Sequence, residues 1–104
     1  MNDTLATRSG PTVPQEVREF AAEKAVSPYL AAVIDLARQA FPSSTLSVSL
    51  GRDVEDETHH YIALDIEASG RTADELLAGQ RFWSAGISRV CPPRQAIYFV
   101  LGWR

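Results

Sequence analysis

The stretch that decides the fold is Tyr61-Ile-Ala-Leu-Asp-Ile-Glu67, where every second residue is a large aliphatic. Successive side chains on a strand point to opposite faces. Ile62, Leu64 and Ile66 therefore share one side, and Tyr61, Ala63, Asp65 and Glu67 share the other. Such alternation describes a sheet packed on one face and open on the other. Upstream, Leu46-Ser-Val-Ser-Leu50 repeats the pattern, with Leu46, Val48 and Leu50 inward and Thr45, Ser47 and Ser49 outward. The acidic segment 51–58 predicts a hairpin loop joining antiparallel neighbours.

Helical periodicity flanks the pair. Before it, Leu30, Val33, Ile34, Ala37 and Phe41 recur at helical spacing and stop at Pro42. Ser27 reads as the N-cap of that helix, with Pro28 at the first helical position. A lead-in helix, separate or kinked, is expected over 14–26. Thr12 and Gln15 fit a capping box there, and Val17, Phe20, Ala21 and Lys24 lie along one face. After the turn Ser69-Gly70, Thr72 and Glu75 form a second capping-box pattern. Leu76, Gln80, Trp83, Ile87 and Val90 then follow one face until Pro92-Pro93. Residues 95–103 read as a closing strand, with Ile97, Phe99, Leu101 and Trp103 on one face and Tyr98 and Val100 on the other.

The order α-β-β-α-β predicts an α+β fold, a two-layer sandwich whose three-stranded sheet carries helices on one face only. A strand-helix-strand crossover leaves its two strands parallel, and strand order 2-1-3 is favoured, with 1-2-3 as the alternative. Residues 1–12 are expected to form a flexible arm and 13–104 a single domain, which suits a chain of 104 residues.

Charge and composition narrow the function. The net charge is −3, Lys24 is the only lysine, and the arginines are scattered. Nucleic-acid binding draws on a basic stripe that neutralises phosphates; none is present in the sequence, and no nucleic-acid partner is expected. No apolar run approaches the roughly 20 residues that a bilayer requires, so no membrane association is expected either. The single cysteine, Cys91, excludes a disulfide framework and multi-cysteine zinc chemistry, and a reducing, cytoplasmic setting fits it.

The residues offer few sets that carry chemistry. His59 and His60 sit beside Asp53, Glu55, Asp56 and Glu57, yet neighbouring strand residues diverge and the calcium-loop spacing is missing. A solvated hairpin tip is the expectation, with no metal and no cofactor. Asp65 and Glu67, two apart on a strand, are sharper: such a pair holds Mg²⁺ in nucleotidyltransferases. Here the Gly-Ser phosphate turn of that family is missing, with Arg52 following Gly51. Cys91 follows the end of a helix, the wrong terminus for stabilising a thiolate. No Gly-x-Ser-x-Gly turn supports a hydrolase triad. What remains is the open sheet face, where Tyr61, Asp65, Glu67 and Tyr98 are the candidate partner-binding residues, since aromatics are enriched in interface cores.

Over 29–103 the chain resembles a family of small bacterial proteins of cyanobacterial and planctomycete type. The likeness rests on Ala32-Ala-Val-Ile-Asp-Leu-Ala-Arg-Gln-Ala-Phe-Pro42, the strands around Val48 and Ile62, Gln80-Arg-Phe-Trp83 and Val90-Cys-Pro-Pro93. Members are encoded beside HEPN-type genes, as in toxin–antitoxin pairs. The resemblance implies a partner-binding or neutralising role and supplies no catalytic residue. The expected function is therefore a non-enzymatic protein-interaction module, binding another protein or a second copy of itself. A degenerate Mg²⁺-dependent nucleotidyltransferase using Asp65 and Glu67 is the alternative.

Overall fold

The computed structural model describes residues 12–56 and 58–104. The expected arm, apart from Thr12, and Glu57 of the hairpin lie outside the described residues. Within them the chain forms α1 (Gln15–Glu23), α2 (Ser27–Ala40), β1 (Leu46–Arg52), β2 (His60–Ile66), α3 (Ala73–Val90), the single turn α4 (Pro93–Ala96) and β3 (Phe99–Trp103). The fold is α+β with an open, mixed, three-stranded sheet.

The strand order is β1-β2-β3, which overturns the favoured 2-1-3. β1 pairs with β2 antiparallel, Val48 opposite Leu64 and Leu50 opposite Ile62. β3 lies parallel to β2 on its other side, Ile62 opposite Phe99 and Leu64 opposite Leu101. The physical reason lies in what each strand carries. β2 presents Ile62, Leu64 and Ile66, almost wholly buried, and a central position covers that inner row from both sides. β1 carries Ser47, Ser49 and Gly51, residues suited to a sheet edge.

The inward residues join one core with the helices: Val17 and Phe20 from α1, Val33, Ile34, Leu36 and Ala37 from α2, Trp83 from α3, and Val48, Ile62, Leu64 and Phe99 from the sheet. α2 and α3 pack closely because α3 has no side chain at Gly79, where a Cβ would collide with the Phe41 ring. One α3 capping box forms as expected: Thr72 N–H donates to Glu75 Oε1 at 2.9 Å and Glu75 N–H to Thr72 Oγ1 at 3.1 Å. The other does not. α1 is capped by Pro14 without a side-chain bond, and Gln15 Nε2 donates instead to Glu19 Oε2 at 3.1 Å.

The break between α1 and α2 also differs from expectation. Val26, not Ser27, is the N-cap of α2. α1 ends in a Schellman motif, in which Val26 N–H donates to Ala21 O at 2.8 Å and Ala25 N–H to Ala22 O at 3.2 Å. That motif needs a left-handed residue, and Ala25 supplies it at φ 61°. The closing strand is shorter than 95–103. Pro92 caps and Pro93 opens a helical turn, which leaves Ile97 67% exposed instead of buried beside Phe99.

Two substitutions check this account by denaturant unfolding. Ala25→Gly relieves a left-handed alanine and is expected to stabilise by about 1 kcal/mol; destabilisation would contradict the cap. Gly79→Ala forces Phe41 aside and is expected to cost about 1–3 kcal/mol.

Candidate functional site

The face of the sheet opposite the core is built by Ser47, Ser49 and Gly51 of β1, Tyr61, Ala63 and Asp65 of β2, and Val100 and Gly102 of β3. None of these residues is buried, and Val100 is 44% exposed. The other seven are partly buried. Ser47, Ser49, Gly51 and Gly102 are small, so Tyr61, Asp65 and Val100 form the relief of the face.

Tyr61 lies directly across from Gly51, and its ring occupies the space a Cβ on Gly51 would take. A glycine covered in this way by a cross-strand aromatic regains the apolar contact it lacks, and the ring becomes a fixed part of the surface. Asp65 lies opposite Gly102, where a Cβ would come within 3.2 Å of Asp65 Oδ1. The same carboxylate faces Arg104, with Nη2 3.8 Å from Oδ2. Both partners are solvated, so the pair contributes little stability. Glu67 lies one residue beyond β2 and is exposed. Its backbone N–H donates to Thr45 O at 2.9 Å, extending the ladder.

Tyr98 is not on this face. It occupies the turn before β3, and its ring packs edge-on against Phe20 of the core at 5.9 Å. Lys24 Nζ sits 5.9 Å from the same ring and 5.8 Å from Phe20, and His60 approaches Phe20 edge-on at 6.4 Å. The parity that assigned Tyr98 to the open side assumed a strand running back to residue 95. The turn Gln95 O to Tyr98 N–H, 3.1 Å, breaks that parity.

The hairpin tip is organised by its own side chains. Asp53 Oδ1 accepts from Glu55 N–H at 2.8 Å, and Asp56 Oδ1 accepts from the Thr58 hydroxyl and N–H at 2.6 and 3.1 Å. The Thr58 hydroxyl bond, aided by its backbone N–H, lowers the pKa of Asp56. No group of three or more histidine, cysteine, aspartate or glutamate side chains placed to hold a metal ion occurs among the described residues. No helix among them is long and apolar enough to cross a membrane.

Arg104, Gly51 and Gly102 are the parts of the face that sequence reading missed. The only available signal was register, since each earns its place from the residue opposite it. Compared with family models, curated proteins and solved structures, the chain shows no match.

Cys91 is buried at the end of α3, and desolvation raises its thiol pKa. A raised folded-state pKa gives a contribution that is complete below the ordinary thiol range and is lost as pH rises through the folded value. Iodoacetamide at pH 8 is therefore expected to modify native Cys91 far more slowly than the unfolded chain. Equal rates would show the thiol to be accessible.

Proposed function

We propose that this chain is a non-enzymatic protein-interaction module that docks a partner on the open face of its sheet, with the helices roofing the opposite side in a two-layer arrangement. The observation that carries the reading is a platform that no described residue buries: Tyr61 packed over Gly51, Ala63 and Val100 beside it, and Asp65 with Arg104 3.8 Å away. An aromatic held rigid before binding loses little entropy on contact, which favours its use as an anchor. Glu67, exposed past the strand end, stands at the rim. Tyr98 has no part in this surface.

Area sets the class of encounter. Three strands about 4.8 Å apart and roughly five residues long give a platform of the order of 250 Å². A stable complex buries about 800 Å² per partner. The platform is thus the centre of an interface, and a partner that binds tightly must also grip its flanks. The resemblance to proteins encoded beside HEPN-type genes points to the neighbouring gene product, with this chain in a neutralising role. The alternative, Mg²⁺ chemistry at Asp65 and Glu67, has less support because the Asp65 carboxylate already faces a guanidinium.

Co-expression with the neighbouring gene product, followed by calorimetry, tests the proposal. Val100→Arg places a charge on the β3 side of the platform, beside Ala63, at a surface position where folding stability should change by no more than about 0.5 kcal/mol. Affinity is expected to fall by at least about tenfold, roughly 1.4 kcal/mol. Unchanged affinity, or no complex with the parent protein, would remove the open face as the docking site.

A further inference from the structure

The sheet is open, so β3 keeps one backbone edge without a neighbouring strand among the described residues. The hydrogen bonds show which residues form that edge. Ile62 N–H donates to Tyr98 O at 2.7 Å, and Arg104 N–H donates to Ile66 O at 2.9 Å. Along a strand, residues bonded to one neighbour alternate with residues whose N–H and C=O point away from it. The even-numbered residues from Tyr98 to Arg104 therefore serve β2, and the backbone groups of Phe99, Leu101 and Trp103 point outward. Such a row is a template for a further strand, which proteins commonly block with charge, proline or a bulge. Phe99-Val-Leu-Gly-Trp103 carries no charged residue and no proline, and its register against β2 is unbroken.

The side chains of β3 indicate what pairs with it. Val100 is 44% and Trp103 42% exposed, and Leu101 is partly exposed. Gly102 supplies the complementary shape. A Cβ there would meet only Asp65 Oδ1 within 4 Å, so the space over this glycine is otherwise open. Gly51 on the opposite edge offers no such slot, because the Tyr61 ring already fills it. A projecting valine and an open glycine thus lie two residues apart on one strand, an arrangement that fits a copy of itself.

We propose that β3 pairs antiparallel with β3 of a second copy about a two-fold axis at Leu101. In a two-fold contact, residue i meets j and j meets i. This register sets Leu101 opposite itself, Phe99 opposite the partner's Trp103, and Val100 opposite the partner's Gly102. The outward-pointing residues then fall in hydrogen-bonded pairs. Val100 and Gly102 fall in the other kind of pair, where side chains approach closest, and each valine enters the other copy's glycine slot. Moving the axis by one residue sets two valines or two glycines opposite each other and loses both fits. A five-residue edge is short, so the contact is at the low end of specific interfaces and the dimer reversible, with a Kd on the order of 100 μM. Pairing also brings the two open faces together on one side of a continuous sheet, doubling the platform that one copy offers. The pairing does not rest on the docking proposal, since it needs only the sheet edge.

Sedimentation of the full chain alone, from about 10 μM to about 1 mM, tests the pairing with no other protein present. The mean mass is expected to rise from monomer towards dimer; a chain still monomeric at the top of the range would overturn the proposal. Gly102→Lys fills the slot and charges the edge, and is expected to weaken the dimer at least about tenfold. Ser49→Lys, the same change on the β1 edge, should leave it unaltered. A dimer that survives Gly102→Lys, or is lost in Ser49→Lys, would overturn the assignment to β3. Oxidative cross-linking reads the register and needs neither lysine variant. Val100→Cys chains mixed with Gly102→Cys chains should cross-link at least about fivefold more than either alone, because that pair brings the Cα atoms to about 4.5 Å. Native Cys91 is buried and takes no part. Equal cross-linking in the mixture and in the single variants would overturn the axis at Leu101.

Discussion

The burial of Ile62, Leu64 and Ile66 in the middle strand is the constraint on which the rest of the molecule depends. These side chains are among the largest that the protein removes fully from water. A fully buried aliphatic contributes about 1.5–3 kcal/mol, so a register that places all three under the helices outweighs any that exposes one. Period two then forces Tyr61, Ala63 and Asp65 to the other side. The open platform is thus the necessary reverse of the core, whether or not its residues were selected for contact.

The same constraint explains what could be read from the sequence. The alternation in β1 and β2, their antiparallel pairing, the proline-bounded α2 and the Thr72–Glu75 box were all legible, because each follows from residues close together in the chain. Strand order was not. It depends on which strand's inner row is covered from both sides, a comparison between distant segments. The left-handed Ala25 was hidden for a different reason: glycine is the usual mark of that position, and alanine gives no sign of it. The short helix after Pro92 was misread because Gln95 to Trp103 fits a strand period well enough to mask the turn that Pro93 begins.

The site was legible to the same depth and no further. Parity placed Tyr61 and Asp65 correctly on the open side, since both lie inside an uninterrupted strand. It failed for Tyr98, which lies just outside one and turns instead onto Phe20 beside Lys24. Arg104 acquires a role only by lying next to Asp65 once β3 is parallel to β2. Likewise, the unpaired row of Phe99, Leu101 and Trp103 follows from which side of β3 faces β2, and no local pattern announces it.

The mixed pairing of the sheet has a kinetic side. The β1–β2 hairpin closes a short loop, whereas β3 reaches β2 only after α3 and α4 have been traversed. Contacts distant in sequence bear their loop-closure entropy before they return any energy. Whenever the hairpin exists without β3, the central strand offers a bare backbone edge beside its aliphatic row. Exposed edges of this kind are where chains associate wrongly, so the speed with which α3 delivers β3 governs how long the newly made chain is open to aggregation.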